Sequence, residues 1–181
     1  MKCAYRHAGT FRKTGEQALD QLTAVAISVG LFSGLWAYLS TALSISTWAG
    51  FIGCTTFFAA GGQIQGFKKA VLTNLAGVVW AMLIIGGGRL AGFPLAGAVL
   101  TGVAAFAMCI QARLKFLSFI PGTFAGTCVT FAFNGAWQAV TVALVCGAVL
   151  GLVAETGGLW LHRWLTGHSH AGAYGSRAEP R

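Results

Sequence analysis

Thr55 and Thr123 are the side chains in this sequence best placed to hydrogen-bond a solute in an apolar setting. Each sits in a short stretch crowded with phenylalanine, and the two occupy matching places in those stretches. Phe51, Phe57 and Phe58 flank the first, and Phe119 and Phe124 flank the second. Two or three rings so gathered can form an apolar constriction in a path, although facing lipid is the better explanation for any one of them. A threonine inside a helix also has a purely local use, because its hydroxyl can bond back to the carbonyl four residues earlier. That reading covers Thr56, Thr127 and Thr130. Asn74 shares a helical face with Ala70, Gly77 and Ala81, where an amide can bond across closely packed helices. Glu155 is the only carboxylate between residues 21 and 178. An acid within an apolar run is costly and marks a candidate for gating or coupling, unless it lies at a boundary and pairs with Arg113, Lys115 or Arg163.

Other chemistry finds no support in the pattern. There is no Ser/His/Asp grouping, no carboxylate pair, and no Lys-Ser/Thr after Gly86-Gly87-Gly88 to complete a phosphate loop. The five cysteines lack metal-ligand spacing. His162, His168 and His170 fall in a tail with Trp160 and Trp164, which suits a solvated, interface-anchored end better than a metal site. The expectation is a protein that is not an enzyme and that uses no metal and no cofactor.

The elements that must position these residues follow from composition. Of the 181 residues, 56% are hydrophobic and 9% charged, and the mean hydropathy is +0.71. A soluble domain carries about 25% charged residues. The chain therefore reads as an all-α, polytopic membrane protein. A spanning helix needs about 20 residues. Residues 21–67 and 116–154 are free of Asp, Glu, Lys and Arg and hold two spans each, whereas 70–88 and 90–112 hold one each. Six transmembrane helices result, near 18–40, 47–62, 68–87, 92–112, 117–133 and 135–160. The hydroxyl-rich Ser40–Ser46 and the pair Asn134-Gly135 supply the turns within the long runs. A basic N-terminus (1–17) and a flexible tail (166–181) bracket one membrane domain, 18–165.

Charge supports the count. With the N-terminus cytoplasmic, 11 of the 12 basic residues fall in cytoplasmic segments, and only Arg89 does not. Both termini are then cytoplasmic. The net charge of +8 reports topology and contact with anionic head groups of the lipid bilayer, not nucleic acid.

Helices 2 and 5 are expected to be short or broken. Pro121 and Gly122 interrupt one, and Gly61-Gly62 ends the other. A proline in a helix interior costs about 3 kcal/mol, but almost nothing in a first turn. Phe51-Ile52 and Phe119-Ile120, each followed by a small residue and a threonine, recur at an offset of 68, and Gly66 and Ala70 match Gly135 and Ala139 with one residue of slippage. If this is a repeat, halves at about 18–88 and 90–160 each contain three helices, so they are inverted relative to one another. Inverted repeats recur in channels and transporters, with the solute site where short or interrupted helices meet.

The strings Phe-Ile-Pro-Gly-x-Phe-x-Gly (Phe119–Gly126), Thr-Phe-Phe-Ala-Ala-Gly-Gly (Thr56–Gly62) and Asn74-x-x-Gly77 resemble the YcdZ-type family of small bacterial inner-membrane proteins. The likeness covers roughly residues 20 to 160. It implies an inner-membrane location and this number of spans. It implies no substrate, since the family is one of unknown function.

The residues themselves lead to a channel or facilitator for a small, uncharged solute. Its path candidates are Phe51, Thr55, Phe57, Phe58, Asn74, Phe119, Pro121, Gly122, Thr123 and Phe124. A proton- or ion-coupled transporter using Glu155 and a non-transporting structural protein are the alternatives. The glycine-rich faces Gly122/Gly126 and Gly147/Gly151 suit self-association into a homo-oligomer.

Overall fold

Apolar runs cut by turn residues become helices whose ends lie where the backbone can leave the helical region. In the computed structural model, residues 2–91 and 95–175 are described, with side chains for 21–91 and 95–166. Among these described residues six α-helices form: α1 (Lys2–Ala42), α2 (Thr47–Ala59), α3 (Gln63–Ala91), α4 (Ala96–Gln111), α5 (Ile120–Ala132) and α6 (Trp137–Gly175). A 3-10 turn, Lys115–Leu117, precedes α5. The all-α class and the six helices agree with the sequence reading, and no strand occurs among the described residues.

Among the described residues, three helical stretches are long and apolar enough to cross a membrane: Gln21–Ala42, Gln63–Ala91 and Trp137–Thr166. At 1.5 Å per residue, the 13 residues of α2 and of α5 span about 20 Å, and the 16 of α4 about 24 Å, against about 30 Å of hydrocarbon. Helix α6 continues to Gly175, through part of the stretch expected to be a flexible tail, and residues 176–181 lie outside the described ones.

The turns sit where the sequence put them. Ser44 has φ 55° between α1 and α2, and Asn134 and Gly135 have φ 51° and 83° between α5 and α6. Gly61 and Gly62, with φ 102° and 65°, let the chain reverse within three residues from α2 into α3. Of the two readings of Pro121, a break in the helix or a place in its first turn, the structure has the second, and α5 is short rather than broken. Phe119 caps α5 and the proline occupies its first turn, where a missing amide hydrogen costs nothing.

The residues group into two units. One joins the stretch up to Ser33 with the stretch from Val153. There α1 and α6 run antiparallel: a Cβ on Gly158 would meet Val25, one on Gly157 would meet Ser28, and the Ser28 hydroxyl donates to the Ala154 carbonyl at 2.7 Å. The described ends of both helices therefore leave this unit on the same side.

The second unit, Gly34–Leu152, contains a repeat. The buried residues of α2 are Ala49, Gly50, Gly53, Cys54, Thr56 and Phe57; those of α5 are Gly122, Thr123, Gly126, Thr127, Val129 and Thr130. Each differs from its mate by 73. In α3 the buried Ala70, Thr73, Asn74, Gly77 and Val78 match the buried Val140, Ala143, Leu144, Gly147 and Ala148 of α6 at a shift of 70.

Close contacts obey the same shifts. A Cβ on Gly77 would strike the Thr123 carbonyl, and one on Gly126 the Asn74 carbonyl. In the other half, a Cβ on Gly147 would strike the Gly50 carbonyl, and one on Gly53 the Leu144 carbonyl. Each short helix thus crosses the third helix of the opposite half at backbone contact, parallel to it. Because α2 reverses tightly into α3, the two crossings run in opposite directions. The register of 68 read from the Phe-Ile strings is corrected to 73 in these helices. Ser46, not Phe51, is the counterpart of Phe119.

Candidate functional site

Two crossings with one geometry invite a comparison of their side chains. Thr56 is a buried hydroxyl on α2 with the apolar Val129 as its mate; five other buried positions around α2 and α6 hold Gly50, Cys54, Phe57, Ala143 and Leu144. Their mates around α5 and α3 are Thr123, Thr127, Thr130, Thr73 and Asn74, each 4% exposed or less. Backbone packing is equally served by either set, so the polar set is not dictated by the fold. The α3–α5 crossing is the candidate site.

Hydrogen bonds fix this crossing in detail. Thr73 bonds back to the Lys69 carbonyl at 2.7 Å, and Thr130 to the Gly126 carbonyl at 2.8 Å. Thr127 reaches both the Thr123 carbonyl at 2.9 Å and, across the helices, the Gly77 carbonyl at 3.0 Å. From α4, Gln111 donates through Nε2 to the Thr123 hydroxyl at 3.2 Å and accepts at Oε1 from the Trp80 indole at 2.9 Å. Asn74 donates through Nδ2 to the Thr56 hydroxyl at 2.8 Å. The Thr56 proton is already given to the Gly53 carbonyl at 2.9 Å, so Thr56 can only accept from Asn74. That assigns the amide orientation and leaves Asn74 Oδ1 buried with no hydrogen-bond partner. An unmatched buried acceptor costs about 1–3 kcal/mol.

Helix α5 leads from one pocket to another. A pocket of about 450 Å³ is lined by Gln65, Lys68, Lys69, Leu72, Lys115, Phe116 and Ser118. A second, of about 590 Å³, is lined by Ser44, Ile45, Ser46, Trp48, Phe133, Gln138, Ala139 and Val142. Under the repeat, Gln138, Ala139 and Val142 fall on Lys68, Lys69 and Leu72, and Ile45 falls on Ser118. The pockets are one feature made twice, at opposite ends of the unit. Ser118, just before α5, lines the first and Phe133, just after it, lines the second. Thr123, Thr127 and Thr130 form a single hydroxyl stripe on the buried face between them.

The residues singled out from sequence scatter around this site. Asn74, Thr123, Gly122 and Phe57 are buried, and a Cβ on Gly122 would meet the Thr73 hydroxyl. Thr55 is exposed and bonds back to the Phe51 carbonyl at 2.8 Å. Its structural mate is Cys128, not Thr123. Phe51 and Phe119 are half-buried, whereas Phe58, Phe124 and Pro121 face outward. Phe57 meets Phe58 edge-on at 5.0 Å, and Phe57 alone of these rings is fully internal. Glu155 is half-buried on α6, in the other unit. His162 lies on α6 as well; the side chains of His168 and His170 fall outside the described residues. Sequence reading set Thr127 and Thr130 aside as locally satisfied and passed over Gln111 and Trp80. The spacing of four and three from Thr123 was the available signal.

Residues 26–159 match the family described as "Protein of unknown function (DUF1097)". The chain belongs to that family. It is 46% identical over 145 residues to the inner membrane protein YcdZ of Escherichia coli strain K12, covering 79% of this chain and 89% of that one. The YcdZ protein of Salmonella typhimurium is 43% identical over 145 residues, 79% and 91% of the two chains. The uncharacterized protein YahC of Escherichia coli K12 is 34% identical over 152 residues, 77% and 92%. No solved structure matches. These relatives and the apolar helices make this an inner-membrane protein in contact with the lipid bilayer, in agreement with the resemblance carried by Phe119–Gly126.

Proposed function

We propose that this family member is a channel or facilitator for a small, uncharged solute moving along the α3–α5 crossing. The observation that carries the reading is the stripe Thr123, Thr127, Thr130 on a short helix whose two ends open at the two matching pockets. The equivalent face of α2 carries Gly50, Cys54 and Phe57 instead. Asn74, whose backbone lies against Gly126 of α5, carries a buried Oδ1 that no protein donor meets. A hydroxyl ladder with a free acceptor can replace part of a solute's hydration shell, which lowers the cost of leaving water. The arrangement is closed as it stands, since each of these side chains is at most 4% exposed. Passage needs a small opening between α3 and α5, at a contact of backbone on backbone.

An ion-coupled transporter would need a titratable group at this crossing, and the carboxylate nearest in sequence, Glu155, belongs to the other unit. The test is osmotic-shock flux through reconstituted protein, with water, glycerol, urea, ammonia and short carboxylic acids. The expected result is passage of at least one neutral solute, unchanged by Glu155→Gln. Absence of flux for every solute would leave the glycines and threonines with packing roles only. Flux that depends on a proton gradient and disappears in Glu155→Gln would favour coupled transport.

A further inference from the structure

The Gly34–Leu152 unit contains five cations, Lys68, Lys69, Arg89, Arg113 and Lys115, and no Asp or Glu at all. Three of the five line the 450 Å³ pocket, which is open and concave. No carboxylate of this unit can offset their mutual repulsion. The pocket's own mate shows that the fold does not demand them: where Lys68 and Lys69 stand in one, Gln138 and Ala139 stand in the other, on an equivalent frame. A general excess of basic residues on one side of the membrane would be met by lysines anywhere on that side. It does not require that they converge on a hollow.

The remaining walls indicate what kind of anion fits. Leu72 is 43% exposed and Phe116 73% exposed, at the rim beside the ammonium groups. A soluble anion gains nothing from such walls, whereas a lipid brings a phosphate and apolar chains on the same molecule. In an inner-membrane protein, acidic phospholipid is always at hand. We propose that Lys68, Lys69 and Lys115 bind the headgroup phosphate of an anionic phospholipid, with Phe116 and Leu72 against its acyl chains. Ammonium groups act as point charges with rotatable donors and suit a phosphate seen from several directions. The site owes nothing to the transport reading.

Purified full-length protein, equilibrated in mixed micelles of phosphatidylglycerol diluted into phosphatidylcholine, tests this by the lipid ratio retained on the protein. Wild type should retain phosphatidylglycerol enriched at least about tenfold over the micelle, with a ceiling on the order of a hundredfold set by about 1 kcal/mol for each of three lysines near anionic lipid. The triple variant K68A/K69A/K115A should fall to the micelle ratio, and R89A/R113A should keep the enrichment. An equal loss per charge in both variants would show a diffuse charge effect and overturn the site. So would an unenriched wild type, or displacement of the lipid by inorganic phosphate at equal concentration, which would assign the lysines to a soluble anion. A thermal melt of each variant in the same micelles separates a misfolded triple variant from a folded one; in the former case, single substitutions should each lower the enrichment in part.

Discussion

Asn74 illustrates how much one side chain can depend on its neighbour's proton. Because Thr56 spends its hydrogen on Gly53, the amide must turn its nitrogen to Thr56 and its oxygen away, into a place with no donor. The matching position in the other half is Leu144, which fills the same role with no polar atom. Asn74→Leu should therefore leave stability unchanged or raise it by about 1–2 kcal/mol, read from unfolding in mild detergent with added denaturant. A loss of more than that gain would mean the amide is structural glue. Thr127→Val keeps the shape and removes the hydroxyl that reaches Gly77. It should cost about 1 kcal/mol and reduce solute flux several-fold in vesicles. That Asn74 shares a face with Ala70, Gly77 and Ala81 was legible from spacing alone. Its orphaned oxygen was not, because that follows from Thr56, eighteen residues away and on another helix.

At the scale of helices, four glycines do what no larger residue could. Gly77 and Gly126 bring α3 and α5 together, and Gly53 and Gly147 do the same for α2 and α6. In each case the added Cβ would meet a carbonyl oxygen of the facing backbone, which cannot rotate aside. Gly77→Ala and Gly126→Ala should each destabilise by about 1–3 kcal/mol, as overpacked cores do. Gly97→Ala and Gly102→Ala, where nothing lies within 4 Å, should be neutral or slightly stabilising. Equal melting of all four variants would contradict the crossing geometry. The six helices and their turns could be read from the sequence because charge, Gly and Asn mark them directly. The partners could not: nothing in the spacing says that α5 crosses α3 rather than its neighbour α6. The Phe-Ile strings misled for the same reason, since similar apolar pairs recur wherever an apolar helix does. Pro121 looked like a break because its place relative to the helix start depends on the 3-10 turn before it.

Within the Gly34–Leu152 unit, α2 with α3 and α5 with α6 follow one two-helix plan, and the two copies differ in that one crossing is polar and one pocket is basic. Sequence parity suggested such an inversion, and burial at shifts of 73 and 70 supplies the register that parity could not. If the basic residues set the orientation, reporter fusions at the two chain ends should both read cytoplasmic, and opposite readings would remove the assigned topology. Transport along only one of two equivalent crossings is the central claim, and the amide at residue 74 separates the two most simply. The decisive measurement is neutral-solute flux in vesicles carrying equal amounts of wild type and Asn74→Leu, with Leu144→Ala as the matched change at the other crossing. Flux should fall about tenfold or more in the first, as for a lost hydrogen bond in a desolvated path, and persist in the second. Equal flux in wild type and Asn74→Leu would contradict a path at this crossing.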